Sequence, residues 1–233
     1  MIASATHGEE TIRYEVRFLV SRRTLAIEVH PDSRVLVRAP LDCPPAVIAE
    51  RVQKRARWIC RQLAQFERYR PRTPARQYVN GESHLYLGRQ YRLKVVPADM
   101  AGVTVTRGQL LVSLPGELHP ERVKALLRRW YLDRARSIFG EVLHASLGHF
   151  KDSEPPRLAV RSMQTRWGSL SPAGTMTLNV NLVRAPRACI EYVVTHELCH
   201  TEHRSHDAQF LRRLGKLMPD WEQRKARLEA ALL

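Results

Sequence analysis

Residues 196–206 read H-E-L-C-H-T-E-H-R-S-H, and this stretch constrains the chain more than any other. His196 and His200 are four apart, so on an α-helix they stand one turn above each other on a single face. Two imidazoles presented that way can grip one Zn2+, and Glu197 beside them can reach a water at the same place. A third histidine, His206, follows six residues later. Six residues of unbroken helix turn through about 600°, which would point His206 about 120° away from the pair. It joins them only if the chain bends. Ser205 supplies a reason to bend, as a good N-cap with Asp207 in the first turn of a new helix. Three nitrogen ligands with a fourth position left for water is the layout of a catalytic zinc, not a structural one. His203 is a rival third ligand if the helix frays early.

The lead-in to this motif is apolar at Ile190, Val193, Val194 and Leu198, which sets His196 and His200 against a core rather than in solvent. Cys199 lies inside the same helix, about 100° from His200, and reads as packing. With Cys43, Cys60 and Cys189 it forms no C-x-x-C pair and no disulfide framework, which points to reduced thiols and a cytoplasmic location. The first twenty residues hold Glu9, Glu10, Arg13, Glu15 and Arg17, with no apolar stretch of the secretory kind. No run approaches the ~18 apolar residues that a membrane span needs.

The formal net charge is +15 across 233 residues. Such a balance suits a nucleic-acid binder. The densest block is 51–76, where Arg51, Lys54, Arg55, Arg57, Arg61, Arg68, Arg70, Arg72 and Arg76 meet one acid, Glu67. Trp58, Phe66 and Tyr69 are interleaved with them. Two readings stand: an amphipathic helix with solvated arginines, or a face that tracks phosphates.

The pattern along the chain predicts an α+β fold with a mixed or antiparallel sheet and a helical C-terminus. Residues 1–77 read as a strand–helix region of the same domain, and 78–233 as the core, with a catalytic segment at 157–218. Thr11–Val20 and Thr24–His30 alternate as strands, Val35–Ala39 returns as a strand after a turn at 31–34, and Pro44 and Pro45 open a helix to about Tyr69. His84–Leu87, Gln90–Val96, Val103–Thr106 and Gln109–Leu114 read as strands, the last two a hairpin around Arg107-Gly108. A long helix covers Pro120 to His149. Arg157–Ser162 is a strand, and residues 165–182 form a hairpin ahead of a helix that starts near Pro186. A further helix runs from after His206 to about Met218. The last one is opened by Asp220 and Gln223 as a capping box. No internal repeat is visible.

R-W-G-S at 166–169, L-N at 178–179 and H-E-L-C-H-x5-H with Phe210 behind it closely resemble the YgjP-like (DUF45) metallopeptidase family, as does G-E-x-H-L-Y-L-G-R-x-Y at 81–91. That family is related to the SprT-like zincins and grouped near the M48 peptidases. The resemblance covers about residues 20–230. It implies a zincin-like fold, with zinc on His196, His200 and His206, Glu197 as the catalytic carboxylate, and the hairpin sheet beside the active-site helix. Where family members often carry Cys after R-W-G-S, this chain has Leu170, which argues against an essential thiol there.

The leading functional expectation is a zinc-dependent peptidase acting on peptide or protein substrate, with Glu197 as general base. Arg166, Trp167 and Asn179 are candidate substrate contacts, and Arg166, His203 and Tyr192 are candidate donors to the developing oxyanion. Two alternatives stay open: a zinc hydrolase of a phosphate-bearing substrate, and a nucleic-acid-associated factor whose metal site is secondary.

Overall fold

A computed structural model describes residues 2–8, 10–20, 22–30, 32–67, 76–150, 154–164 and 166–232. The chain forms two compact units, residues 1–73 and 74–232.

The first unit is a four-stranded sheet and one helix. Its strands are β1 (Ile2–His7), β2 (Glu10–Phe18), β3 (Ala26–Val29) and β4 (Val35–Ala39), in the order β1-β2-β4-β3. Along β2 the buried Ile12, Tyr14 and Val16 alternate with Arg13, Glu15 and Arg17, the period-two pattern of a sheet with one covered face. The cover is α1 (Pro45–Glu67). Its Ile48, Val52, Ala56 and Ile59 recur every three or four residues and are wholly buried. Each such isoleucine or valine stabilises the unit by roughly 1.5–3 kcal/mol. Tyr69, the expected end of this helix, lies outside the described residues. β1 is a strand that the pattern did not predict.

The second unit opens with β5 (Ser83–Tyr86), β6 (Arg89–Pro97), β7 (Gly102–Thr106) and β8 (Gln109–Leu114), ordered β5-β6-β8-β7. Gly108, at φ +74°, makes the β7–β8 turn where a side chain would be strained. α2 (Pro120–Ser146) follows, and a 3-10 turn at Leu147–His149 ends it.

The two β-rich segments share one topology. In both, the first two strands and the last two pair antiparallel, the second and fourth pair parallel, and a long helix follows. Val35 and Leu110, Pro40 and Pro115, Pro45 and Pro120, Ile48 and Val123, Val52 and Leu127 are each 75 residues apart. The expectation of no internal repeat is therefore corrected. A ββββα module occurs twice, disguised because only its apolar positions and prolines recur.

After α2 the second unit adds a small sheet, β9 (Arg157–Arg161), β10 (Gly168–Leu170) and β11 (Thr175–Asn179), ordered β10-β11-β9, with β10 on one edge. The expected return strand stops at Asn179, and Val180–Arg184 winds into a 3-10 turn instead. Three helices close the chain: α3 (Arg187–Cys199), α4 (Ala208–Leu217) and α5 (Trp221–Leu232). The fold is thus α+β with mixed sheets. No helix among the described residues is long and apolar enough to cross a membrane.

Candidate metal centre

α3 is buried on nearly every side. Cys189, Ile190, Val194, Leu198 and Cys199 are at 0% exposure, so packing rather than solvent fixes the rotation of this helix. Its C-terminus unwinds where the second histidine stands. The N–H groups of His200, Thr201 and Glu202 bond to the carbonyls of Glu197, Leu198 and Cys199, three residues back, which tightens the last turn. The chain then reverses into α4. The expected N-cap, Ser205, is corrected to Asp207. Its Oδ1 accepts from the N–H groups of Gln209 and Phe210, and the Ser205 hydroxyl donates to its other oxygen at 2.9 Å. Arg213 braces this reversal from α4 with two bonds to the Glu202 carboxylate, at 2.8 and 2.9 Å, and one to the His149 carbonyl.

The reversal brings three imidazoles to one place. One ligand atom each from His196, His200 and His206 lies within 4.8 Å of the others. The Nε2 atoms of His196 and His206 are 2.9 Å apart. The wholly buried Phe210 forms a floor, its ring centroid 4.9, 4.7 and 4.7 Å from those of the three histidines. His200 donates from Nδ1 to the His203 carbonyl at 2.9 Å. That bond engages Nδ1 and leaves Nε2 as the atom free to face a metal, the orienting contact that metal-binding histidines typically make. Nδ1 of His196 is buried without a partner among the described residues. Burial, then His206 and His200, holds the His196 ring well below the usual histidine range, at about 4, so it stays neutral. Three imidazole nitrogens converging over an apolar floor form a donor set that suits zinc.

Glu197 points to the small sheet. It is 6% exposed, and a Cβ at Gly168 would stand 2.8 Å from both its Cγ and its Oε1. The glycine of R-W-G-S is therefore the space in which this carboxylate lies. The backbone N–H of Leu170 donates to it. Burial pushes the carboxyl up to about 7, against the lowering effects of that N–H and of Arg166.

The other sequence-predicted residues fall around this point. Arg166 is exposed and close enough to Glu197 to act on its charge. Trp167 packs against the core. Asn179 is buried, and its amide is engaged by the chain itself. Nδ2 donates to the carbonyls of Met163 and Arg166 at 2.8 and 3.0 Å, and Oδ1 accepts from Asn181 N–H. Tyr192 stands edge-on to His196 at 5.8 Å and stacks on Trp221. Burial pushes its hydroxyl up to about 12, so it remains an O–H donor. The sequence reading missed the Leu170 amide and the role of Phe210 as floor. The four-residue step from His206 to Phe210 was the available signal for the latter.

Residues 23–231 match the metallopeptidase domain of the YgjP-like family. The chain belongs to the YgjP-like metallopeptidase family. Such a protein is a peptidase that uses a divalent metal, and the three-histidine group is where this one gathers donor atoms. Among solved structures, the zymogen of abylysin from Pyrococcus abyssi is 21% identical with a TM-score of 0.36, over 39% of this chain and 90% of that one. The zymogen of jannalysin from Methanocaldococcus jannaschii is 18% identical with a TM-score of 0.38, over 41% of this YgjP-like chain and 90% of that one. No curated protein matches.

The basic block of the first unit lies apart from this chemistry in sequence. Arg51, Lys54, Arg55, Arg57 and Arg61 are exposed on α1, and Lys54 pairs with Glu50. Arg68, Arg70 and Arg72 lie outside the described residues.

Proposed function

We propose that this YgjP-like metallopeptidase is a zinc-dependent peptidase in which His196, His200 and His206 hold the ion and Glu197 is the general base. The observation that carries the reading is the approach of His206 Nε2 to within 2.9 Å of His196 Nε2, ten residues away along the chain. When bound, zinc supplies Lewis acidity, lowering the pKa of water toward about 7 and polarising a carbonyl. The protein's own groups do the rest. Glu197 takes the proton of the attacking water and delivers it to the departing amine nitrogen. The Leu170 N–H and the space at Gly168 keep its carboxylate aimed. The open edge of β10, on which the Leu170 N–H lies, receives the substrate as an added strand. Arg166 and Trp167 contact that strand, and Asn179 acts on it indirectly, by holding the carbonyls of Met163 and Arg166. Arg166 and the Tyr192 hydroxyl are the candidate donors for the oxyanion.

The test pairs zinc content with cleavage of a generic unfolded protein, for wild type and Glu197→Gln. The variant should keep about one zinc and lose turnover by a factor of about 100 or more. Undiminished turnover would remove Glu197 from the chemistry. Loss of the zinc along with activity would make it a ligand instead.

A further inference from the structure

The first unit carries a groove that the metal chemistry does not use. It has a volume of about 480 Å3 and is lined by Leu25, Ala26 and Ile27 on one side and Arg51, Arg55 and Trp58 on the other. The strand wall is β3, the edge of its sheet. β4 is its ladder partner, and no strand among the described residues pairs with its other side. The helix wall is one stripe of α1, because residues 51, 55 and 58 recur at three- and four-residue spacing. Neither Arg51 nor Arg55 has an ion-pair partner among the described residues, and Trp58 is 37% exposed. The nearby acid on β3, Glu28, is already engaged by Arg38 and His30.

In the second copy of the ββββα module the positions of Arg51 and Arg55 are taken by Leu126 and Trp130, which pack against the hydrophobic core, the Trp130 ring 4.8 Å from that of Tyr86 on β5. In the first copy the same helix stripe carries two guanidinium groups that have no ion-pair partner among the described residues.

We infer that the β3–α1 groove docks an extended, acidic polypeptide segment, which adds a strand to β3 and sets its carboxylates on Arg51 and Arg55 and a side chain on Trp58. An unpaired strand edge bonds to a partner's backbone amides, and arginine forks match carboxylates in pairs. A nucleic acid would use the arginines but not the strand edge. The groove does not rest on the peptidase reading, and either can fail alone.

The experiment is fluorescence anisotropy on the full chain with a labelled peptide of alternating Glu and Val, its integrity checked by mass spectrometry afterwards. Saturable binding is expected, weakened at least about tenfold by the exposed double change Arg51→Glu/Arg55→Glu. N-methylation of alternate peptide amides should abolish it, because that blocks the ladder bonds while keeping the charges. Trp58→Ala should weaken it with an unchanged circular dichroism spectrum. No binding, equal binding of the Lys–Val counterpart, or indifference to N-methylation would overturn the inference. Tighter binding of oligothymidylate than of the peptide, lost in the same arginine variant, would overturn it in favour of a nucleic-acid site.

Discussion

A methyl group on Gly168 would sit 2.8 Å from Oε1 of Glu197, closer than any relaxed side-chain contact. The edge strand and the carboxylate of the H-E-x-x-H helix are therefore fitted to each other without slack. The sequence places these residues 29 apart, and only the tertiary fold makes them neighbours.

Gly168→Ala tests that fit. The added carbon would also meet Val193 Cγ1 at 3.0 Å, so the cheapest relief is a displaced Glu197. Overpacking of this kind costs about 1–3 kcal/mol, and a shift of about 1 Å in a catalytic group lowers rate by roughly 100-fold. The three histidines are not touched, so zinc content should stay at wild-type level while turnover falls. Wild-type kcat in this variant would show that the carboxylate has room to spare.

Zinc content separates the two candidate third ligands. His206→Ala should lose most of the metal. His203→Ala should keep it, because His203 serves the site through its main-chain carbonyl, which accepts from His200 Nδ1 and which alanine retains. Elemental analysis of the two purified variants decides the matter, and the opposite ranking would replace His206 by His203.

Phe210→Ala should act on both stability and metal. The ring is fully buried, and a Phe-to-Ala change in a core costs about 3–5 kcal/mol. The floor beneath the three imidazoles goes with it, and loss of such a supporting contact typically weakens metal affinity 10- to 100-fold. Phe210→Leu should recover most of the stability. Thermal unfolding and zinc competition with a chelator read the two effects separately.

His84 predicts an acid sensitivity away from the metal. It is 1% exposed, its Nε2 lies 3.1 Å from Glu82, and Arg76, Arg184 and Tyr78 surround it. Burial, then Arg76, brings its pKa from 6.5 down to about 4 despite Glu82. Between those values the unfolded chain binds the proton and the folded chain does not. Stability is thus complete above pH 6.5 and falls as pH drops toward 4, by about 3 kcal/mol from this group. Urea unfolding across that range should show a shallower decline for His84→Leu than for wild type. Parallel curves would refute the assignment.

Much of this fold was readable along the chain, and the failures have identifiable physical causes. β8 alternates cleanly and β4 is a short apolar run, and both begin and end so near turn residues that their bounds match the expectation. β1 was missed because I-A-S-A-T-H has little apolar contrast, and its strand character comes from pairing with β2. The 3-10 turn at Val180–Arg184 continues the apolar run of β11, and a short apolar run does not distinguish strand from tight helix. Ser205 and Asp207 are both good caps, and the choice between them depends on where α4 docks. At the site, the i, i+4 histidines and Glu197 were legible from spacing alone. The Leu170 amide was not, because it belongs to a strand edge that meets α3 only after folding.

The brace from Arg213 to Glu202 and the Asp207 cap hold the turn between His200 and His206 in shape by bonds that involve no metal. The closure entropy of that loop is accordingly met by the fold itself, and on the proposed zinc reading an arriving ion would find its donors already gathered. The three candidate ligands also differ in access. His206 is the exposed one, while His196 and His200 are anchored on a buried helix. On that reading a competing chelator should engage from the His206 side, and removal of the ion should leave α3 in its apolar bed. On the proposed zinc reading, demetallation and unfolding should therefore be separate events, and the protein should be emptied and refilled while folded.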